Sequence, residues 1–423
     1  MLFISLVFFI YSAERILSKA YSEYPVFWLF VFFYILNYLV LPSLNYMSEF
    51  KFIGELALME MKVEPLDYFP YTIFGLIFFF LGLRIFKWDF KYPRINISNK
   101  TNSVELTLFA IGLFFYLLPT VENSFSFIFF ILRNLMQAAV FFSLFKGGRY
   151  TKYLMIFSLV LLVTNSLRTA MFGELMSWLL FYVIAIIGYN KPKKSAAYFM
   201  IILLFFVIVI VQFSKLTYRQ AVNSGDAVGG IESFVNSTET EAEGSERRIA
   251  EALVRFNQGY FLAAVLNTVP EKVDFQNGNH TTLILEAVFF PRFLVTNKLI
   301  SGNSSVTSKY TNKPIKEGTS MSIGLLGDSY IDYGFYFGIL LCFFYGFIFS
   351  MFLFFFNKMT KGNSILVHFV PLLIYYSIRP DNDTHTALGF MFKSLVLLYI
   401  LQRLLFKIYN TKIINKKHDY LRS

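Results

Sequence analysis

Long apolar stretches separated by short polar connections dominate the pattern along the chain. A helix needs about 20 predominantly apolar residues to cross a bilayer. Stretches of roughly that length occur at 24–43, 70–86, 103–121, 126–145, 152–170, 172–189, 196–216, 335–357, 364–378 and 386–407. A shorter apolar segment, Met1–Ala13, has no basic start and no small-residue cleavage site, so we interpret it as a first helix rather than a signal peptide. The pattern therefore predicts an all-α polytopic integral membrane protein with about eleven spans.

One connection is far longer than the others and divides the chain. Within it, Asn223–Gly244 is rich in Gly, Ser, Thr and Glu, whereas Glu246–Val269 and Thr281–Phe290 have apolar spacings typical of short amphipathic helices. We expect N-terminal spans in 1–216, a large extracytoplasmic loop domain in 217–333, C-terminal spans in 334–407 and a basic tail in 408–423. A loop of this length in a compact membrane protein is usually functional or disordered.

The composition agrees with this class. Hydrophobic residues make up 56% of the chain and charged residues 15%, and the mean hydropathy is +0.55. Typical soluble domains carry about 25% charged residues, so an ordinary soluble enzyme is excluded. The single cysteine, Cys342, excludes a disulfide framework and a cysteine-based zinc site.

The net charge of +11 follows from the topology and does not require nucleic acid as a partner. Alternate short connections and the C-terminal tail carry 19 lysines and arginines, whereas the opposite short connections carry four. Cytoplasmic connections are enriched in these residues. The chain is therefore predicted to have its N-terminus outside and its C-terminus in the cytoplasm.

Five arginines are expected on the outer face, where basic residues are otherwise few. They are Arg168, Arg219, Arg255, Arg292 and Arg379. An arginine at the end of a span costs free energy unless it is paired or used, and its planar fork matches phosphate oxygens. A lipid-linked diphosphate would suit several converging arginines. The alternative for each one is a structural ion pair or a side chain that extends to the interface.

The triplet Asp381-Asn382-Asp383 matches the short D-x-D pattern that holds a divalent metal in some glycosyltransferases. Two carboxylates are too few ligands for a hard cation, so we favour an ion pair with Arg379 and predict no metal. His385 follows one turn later and titrates near neutral pH, which suits a proton shuttle.

The segment Glu317–Gly334 combines four glycines with hydroxyl and tyrosine side chains. Ser320 and Ser322 can donate hydrogen bonds to sugar or phosphate oxygens, and Tyr330 can stack on a sugar face. The alternative is a Gly/Ser-rich re-entrant loop that leads into the next span.

From Asn165 to Arg403 the chain resembles the Wzy-type polymerases of O-antigen and enterobacterial common antigen repeat units. The resemblance depends on the order of several short motifs on one predicted face. These are S-L-R-T-A at Arg168, Y-R at Arg219, L-V-R-F at Arg255, D-F-Q-N-G at Asp274–Gly278, F-F-P-R-F at Arg292, E-G-T-S-M-S-I-G-L-L-G-D-S-Y at Glu317–Tyr330, and R-P-D-N-D at Arg379–Asp383.

The resemblance implies a GT-C-like fold in the bacterial inner membrane and a metal-independent glycosyltransferase without cofactors. Such an enzyme transfers the growing glycan from undecaprenyl diphosphate to a sugar hydroxyl of an incoming lipid-linked repeat unit at the periplasmic face, as in lipopolysaccharide biosynthesis. The bilayer, a chain-length regulator and a repeat-unit flippase are the partners that it implies. We assign the five arginines to the diphosphates, Ser320, Ser322 and Tyr330 to the sugars, and the base to one of Glu317, Asp328, Asp383 and His385.

Three alternatives stay open at this point. A ligase would share the arginines and the fold and differ only in its acceptor. A polysaccharide flippase or other transporter would need charged or broken helices in mid-membrane, for which Arg133 and Lys393 are the available basic residues. A structural or regulatory membrane protein would tolerate replacement of every outer arginine.

Overall fold

A computed structural model describes residues 1–47, 61–93, 102–118, 126–223, 257–290, 294–295, 298–315, 321–362 and 364–409. These residues form helices and turns without a β-strand, apart from one isolated bridge between Glu23 and Lys91. The α-helices are α1 (Leu2–Ala20), α2 (Val26–Ile35), α3 (Leu41–Asn45), α4 (Pro65–Leu83), α5 (Asn102–Leu117), α6 (Ser126–Arg133), α7 (Leu135–Lys146), α8 (Thr151–Thr169), α9 (Gly173–Asn190), α10 (Lys194–Asn223), α11 (Gly259–Thr268), α12 (Asn279–Phe289), α13 (Ser304–Thr311), α14 (Gly324–Gly362), α15 (Val370–Ile374) and α16 (Thr384–Tyr409). A π-helical turn (Leu36–Val40) joins α2 to α3, and a 3-10 helix (Ser364–Phe369) precedes α15.

Six helices in the described part of the chain are long and apolar enough to cross a membrane. They are Val26–Asn45, Pro65–Leu83, Phe127–Lys146, Gly173–Asn190, Gly324–Gly362 and Thr384–Leu404. Large apolar side chains such as Phe3, Leu66 and Tyr336 are at least 79% exposed, as expected for surfaces that contact lipid. The prediction of an all-helical membrane protein is confirmed. The count of about eleven spans and the GT-C-like arrangement stay predictions.

Helices α4 and α14 cross at two facing glycines. A Cβ atom on Gly82 would lie 2.2 Å from the carbonyl oxygen of Phe343, and one on Gly346 would lie 2.2 Å from that of Phe79. Helices in membranes gain little from burial of apolar surface against each other, so they depend on such close backbone approach. The crossing therefore fixes α14 against the N-terminal half of the chain.

A buried polar network joins α7, α8 and α9. The Tyr182 hydroxyl donates to Gln137 Oε1 at 2.5 Å, and the Ser158 hydroxyl donates to the same oxygen at 2.8 Å. All three residues are at most 3% exposed. Hydrogen bonds between neighbouring helices contribute about 0.6 kcal/mol each in membrane proteins, so this network adds to the orientation of the helices more than to stability.

The turns that follow α1, α4 and α9 meet at one end of the bundle, which we call the lysine-rich end (residues 19–24, 84–92 and 190–194). The Tyr21 hydroxyl donates to the Pro192 carbonyl at 2.9 Å. The backbone N–H of Tyr24 donates to the Phe90 carbonyl at 3.1 Å, and that of Tyr92 donates to the Ser22 carbonyl at 3.1 Å.

A different set of segments meets at the opposite end. Gly324, the first residue of α14, has a φ of +80°. A Cβ atom there would lie 2.4 Å from the Tyr38 hydroxyl and 3.0 Å from the Pro380 carbonyl oxygen. The Gln258 side chain donates to the Ser322 carbonyl at 2.6 Å. Segments far apart in sequence therefore converge around the start of α14.

Helix α14 begins at Gly324, whereas the hydropathy pattern predicts a span from residue 335. The additional turns contain Asp328, Ser329 and Asp332, which lower the local hydropathy although each has hydrogen-bond partners within the protein. Gly334 then interrupts the helix with a φ of +67° and a ψ of −149°. Of the predicted loop helices, Thr281–Phe290 is observed as α12, and only the last part of Glu246–Val269 lies among the described residues, as α11.

Candidate functional site

The segment Arg379–His385 separates two groups of charged side chains at the end of the bundle opposite the lysine-rich end. It connects α15 to α16 and includes Pro380, whose missing N–H does not support a continuous helix. Its first residues belong to a group of arginines and carboxylates. Its last residues line a small pocket of aspartates and histidines.

The first group, the arginine group, consists of Arg133, Glu174, Arg379 and Asp381. Arg379 forms a fork with Asp381, with Nη2–Oδ2 at 2.7 Å and Nε–Oδ1 at 3.2 Å. Arg133 Nη2 donates to both carboxylate oxygens of Glu174 at 2.9 Å. The predicted pairing of Arg379 with Asp381 is therefore observed, and Arg133 lies in a pair rather than alone in mid-membrane.

The start of α9 brings the two arginines of this group together. A Cβ atom on Gly173, the first residue of α9, would lie 3.4 Å from Nη1 of Arg379. Glu174, the next residue, holds Arg133. A helix N-terminus has unpaired N–H groups and a partial positive charge, so it adds to the positive potential of the arginines and suits an anionic ligand.

Two other predicted arginines lie at the same end of the bundle. Arg168 is in the last turn of α8 with an exposed side chain. The Tyr218 hydroxyl of α10 donates to the Leu167 carbonyl at 2.7 Å, which brings the backbone of Arg219 to this end. Arg255 and Arg292 lie outside the described residues.

The second group, the acid–histidine pocket, consists of His280, Asp328, Asp383 and His385. His280 Nε2 lies 2.9 Å from Asp328 Oδ1, and both residues are at most 6% exposed. The four side chains share a cavity of about 20 Å³. A water molecule needs at least 10–15 Å³ of such volume, so the cavity matches about one water molecule or one hydroxyl group.

Asp383 has a raised pKa in this pocket. Burial raises its pKa from 3.8 to about 6; the hydrogen bond from the Gly302 N–H, at 2.7 Å, opposes this shift, and the charge of Asp328 adds to it. An aspartate at the start of a helix usually caps that helix, but this carboxylate accepts from a different loop. It is therefore available to the pocket as a base that is mostly ionised at pH 7.

The neighbours of His280 favour its charged form. Burial by itself lowers the pKa of His280, but the hydrogen bond and charge of Asp328, together with the charge of Asp332, raise it above the usual value. The contact between His280 and Asp328 therefore favours the charged form of the imidazole.

No protein-family model, curated protein or solved structure matches the chain. The geometry of the two groups therefore carries the functional argument by itself.

The structure brings together Asp328, Asp383 and His385, three of the four predicted base candidates. Glu317 and Ser320 lie outside the described residues. Ser322 lies at the start of α14, where its hydroxyl accepts from the Gly324 N–H at 3.1 Å. The Tyr330 ring packs edge-on against Tyr71 and Phe275, with centroids 5.0 and 5.9 Å away, so much of its face is covered by the protein.

The DND triplet divides between the two groups. Asp381 is directed to Arg379, and Asp383 to Gly302. Within the part of the chain that the structure describes, no three His, Cys, Asp or Glu side chains are arranged to hold a metal ion.

The sequence by itself did not assign a role to His280. It also did not place Arg133 beside the outer arginines. The histidine lies 48 residues before Asp328, and no spacing rule links the two. Its sequence context, N-G-N-H-T, gave one signal, since a glycine before a helix start often marks a tightly docked turn. Arg133 was visible as a charge inside an apolar stretch, which calls for a partner such as Glu174.

Proposed function

We propose that the chain is a Wzy-like polysaccharide polymerase. It transfers a growing glycan from undecaprenyl diphosphate to a sugar hydroxyl of an incoming lipid-linked repeat unit. One observation carries this proposal: the short segment Arg379–His385 joins an arginine group suited to a diphosphate to an acid–histidine pocket suited to a hydroxyl. Sugar transfer from a lipid diphosphate needs these two functions side by side.

The arginine group would act on the leaving group. As the bond between the sugar anomeric carbon and the diphosphate oxygen breaks, negative charge builds up on that oxygen. Fixed guanidinium groups stabilise this charge more in the transition state than in the ground state. Arg379 is the leading candidate because its side chain is 26% exposed and so can reach a ligand, with Arg133 beside it.

The acid–histidine pocket would act on the acceptor. Asp383 takes the proton from the acceptor hydroxyl while that oxygen forms the new bond to the anomeric carbon. A carboxylate with a pKa near 6 is ionised at pH 7 and still basic enough to accept the proton. His280 and Asp328 maintain the charge balance around it, and His385 lines the same cavity.

The predicted topology agrees with this assignment. The positive-inside rule assigns the lysine-rich end to the cytoplasm, and the two groups lie at the opposite end. The proposal therefore includes about eleven spans with a GT-C-like arrangement, a site on the periplasmic face of the inner membrane, and an outside N-terminus.

Reconstitution tests the proposal. The purified protein in liposomes is incubated with undecaprenyl-diphosphate repeat units and no nucleotide sugar, and the lipid-linked products are separated on a gel. We expect a ladder with repeat-unit spacing from the wild type, none from Asp383→Asn, and an unchanged ladder from Arg84→Gln, whose arginine lies over Phe27 at the lysine-rich end. A single unextended band from the wild type would contradict the polymerase proposal.

The same assay separates the alternatives. A ligase shares the arginine group and would modify an added acceptor, such as a lipid A core, without producing a ladder. A transporter would move the lipid-linked unit across the liposome membrane and leave its length unchanged.

A further inference from the structure

The N-terminus of α12 is capped by a side chain from another helix. Asp332 Oδ1 accepts from the N–H groups of Gly278 at 2.9 Å and His280 at 3.1 Å. Its Oδ2 accepts from the N–H of Thr281 at 2.7 Å and also from the Thr281 hydroxyl. Asp332 is 0% exposed, so hydrogen bonds from three backbone N–H groups replace the water that would otherwise solvate this carboxylate.

The carboxylate that binds the His280 ring lies one turn earlier on the same helix. Asp328 and Asp332 are four residues apart on α14, a spacing that puts two side chains on one helix face. Asp328 contacts the imidazole, and Asp332 holds the backbone of the same residue. One face of α14 therefore fixes both the position and the orientation of His280.

The loop before α12 is docked in a single register. The N–H groups of Gln276 and Asn277 donate to the carbonyls of Ile331 and Asp332, both at 3.0 Å. Gly278 has a φ of +90°, and a Cβ atom there would lie 2.5 Å from the Tyr333 hydroxyl. The close approach requires glycine at 278, and the two backbone hydrogen bonds set the register in which Asp332 and His280 meet.

We propose that Asp332 is a positioning residue that holds the His280 backbone so that its ring meets Asp328 in the acid–histidine pocket. This inference rests on the proposed function for its purpose, because it explains how the negative charge next to Asp383 is balanced. The charged and titratable groups that face His280 are Asp328 and Asp332 of α14, Lys309 of α13 and His385 of α16. The Tyr310 ring packs 5.4 Å from the imidazole.

The consequence is a coupled change in two protonation equilibria. Without the cap, the His280 ring leaves Asp328 and loses the carboxylates that raise its pKa. Asp328 then keeps an unbalanced negative charge, which raises the pKa of Asp383 further. Asp332→Asn should therefore move the titration of Asp383 to higher pH. It should move that of His280 to lower pH, both through the lost contact with Asp328 and because the charge of Asp332 itself raises the pKa of His280.

The first measurement is an NMR titration of the full chain in nanodiscs with isotope-labelled histidine and aspartate, because a rise in the Asp383 midpoint separates lost positioning from the direct loss of the Asp332 charge. The chain has four histidines, so His280→Gln identifies the His280 signal. We expect Asp332→Asn to lower the His280 titration midpoint by about one pH unit. Asp274→Asn is the matched control: it removes an exposed carboxylate from the same loop and should leave the midpoint within about 0.3 units.

An unchanged His280 midpoint in a folded Asp332→Asn variant would overturn the proposal. If that variant does not fold, amide exchange of the wild type decides, since the N–H groups of Gly278, His280 and Thr281 should exchange slowly when capped. Rapid exchange of all three would also overturn it. Neither measurement needs polymerase activity, so a protein without activity in which the midpoint shifts would contradict only the proposed function.

Where polymerase activity is found, the same variant gives a second readout. The acid limb of the pH profile should move upward by about half to one pH unit in Asp332→Asn, as Asp383 becomes harder to ionise. A uniform loss of rate with no shift in the limb would assign Asp332 a purely structural role.

Discussion

The two ends of the bundle contain charge pairs of opposite character. Near the lysine-rich end, Lys146 and Glu105 form a pair at 3.5 Å in which each side chain is 1% exposed. At the other end, Arg379 and Asp381 are 26% and 43% exposed, and Arg133 and Glu174 are 19% and 16% exposed. A closed pair can only contribute to stability, whereas an open pair can exchange its partner for a ligand. The exposed fraction of the side chains, rather than the residue type, therefore distinguishes the structural ion pair from the functional ones.

The largest effect should come from breaking the closed pair. Lys146→Met leaves the Glu105 carboxylate buried without its cation, and removal of one partner of a buried pair typically costs about 3–5 kcal/mol. Thermal unfolding in detergent, followed by tryptophan fluorescence, should show a clearly lower Tm. Lys152→Met, at an exposed lysine, is the control. An unchanged Tm in Lys146→Met would contradict the structural reading of this pair.

The open pair should control activity instead. Arg379→Gln removes a charged donor to the leaving group, and loss of one such donor reduces kcat by about 10²–10³-fold. Initial rates of polymer formation in liposomes would measure this loss. The Tm should fall less than in Lys146→Met, because this ion pair is partly exposed. Wild-type chain lengths from this variant would remove Arg379 from the site.

A pH profile should give an intermediate effect. Asp383 acts as a base only when it is ionised, so activity should be steady above pH 6 and fall about tenfold per pH unit below it. The initial rate of polymer formation between pH 4.5 and 8 measures this limb. A rate that is flat across that range would rule out Asp383 as the base.

The same raised pKa predicts an opposite trend in stability. Because the folded-state pKa of Asp383 lies above its ordinary value of 3.8, its protonated form contributes stability that is lost as the pH rises through about 6. The Tm of Asp383→Asn should therefore exceed that of the wild type at pH 7.5 and match it near pH 4.

The smallest effect should come from the hydroxyl of Tyr330. Tyr330→Phe keeps the edge-on contacts with Tyr71 and Phe275, so the rate should stay within about twofold of the wild type. Tyr330→Ala removes the same packing and should lower the Tm. A loss of more than tenfold in the phenylalanine variant would show that this hydroxyl contacts the sugar.

Helices with continuous apolar sequence were predictable almost to the residue, although of the two that follow only Gly173–Asn190 is among the six long enough and apolar enough to cross a membrane. The predicted 152–170 and 172–189 are observed as Thr151–Thr169 and Gly173–Asn190. Their ends lie at polar or glycine residues, which interrupt the hydropathy pattern where the helix also ends.

Two other segments show where hydropathy fails. The start of α14 contains carboxylates that accept hydrogen bonds from His280 and from the N-terminus of α12. Helix α14 therefore begins in a segment whose low hydropathy predicts a loop. The predicted span 364–378 is divided into a 3-10 helix and the short α15, with Pro371 near their junction. At α14 the deciding contacts come from a distant part of the chain, whereas Pro371 is a local cause.

The candidate site was predictable in part for the same reason. Arg379, Asp381 and Asp383 lie in one short segment, so their proximity followed from the sequence. The approach of Arg379 to Gly173, and of His280 to Asp328, depends on the packing of helices that are far apart in sequence.

The cap on α12 also sets an order in which parts of the protein can fold during translation. Helix α12 has 11 residues, and isolated helices of that length are marginal in water. Its cap, Asp332, is translated 51 residues after Thr281. The ribosome therefore releases α12 before Asp332, and the acid–histidine pocket can assemble only after Asp383 and His385 have left the exit tunnel.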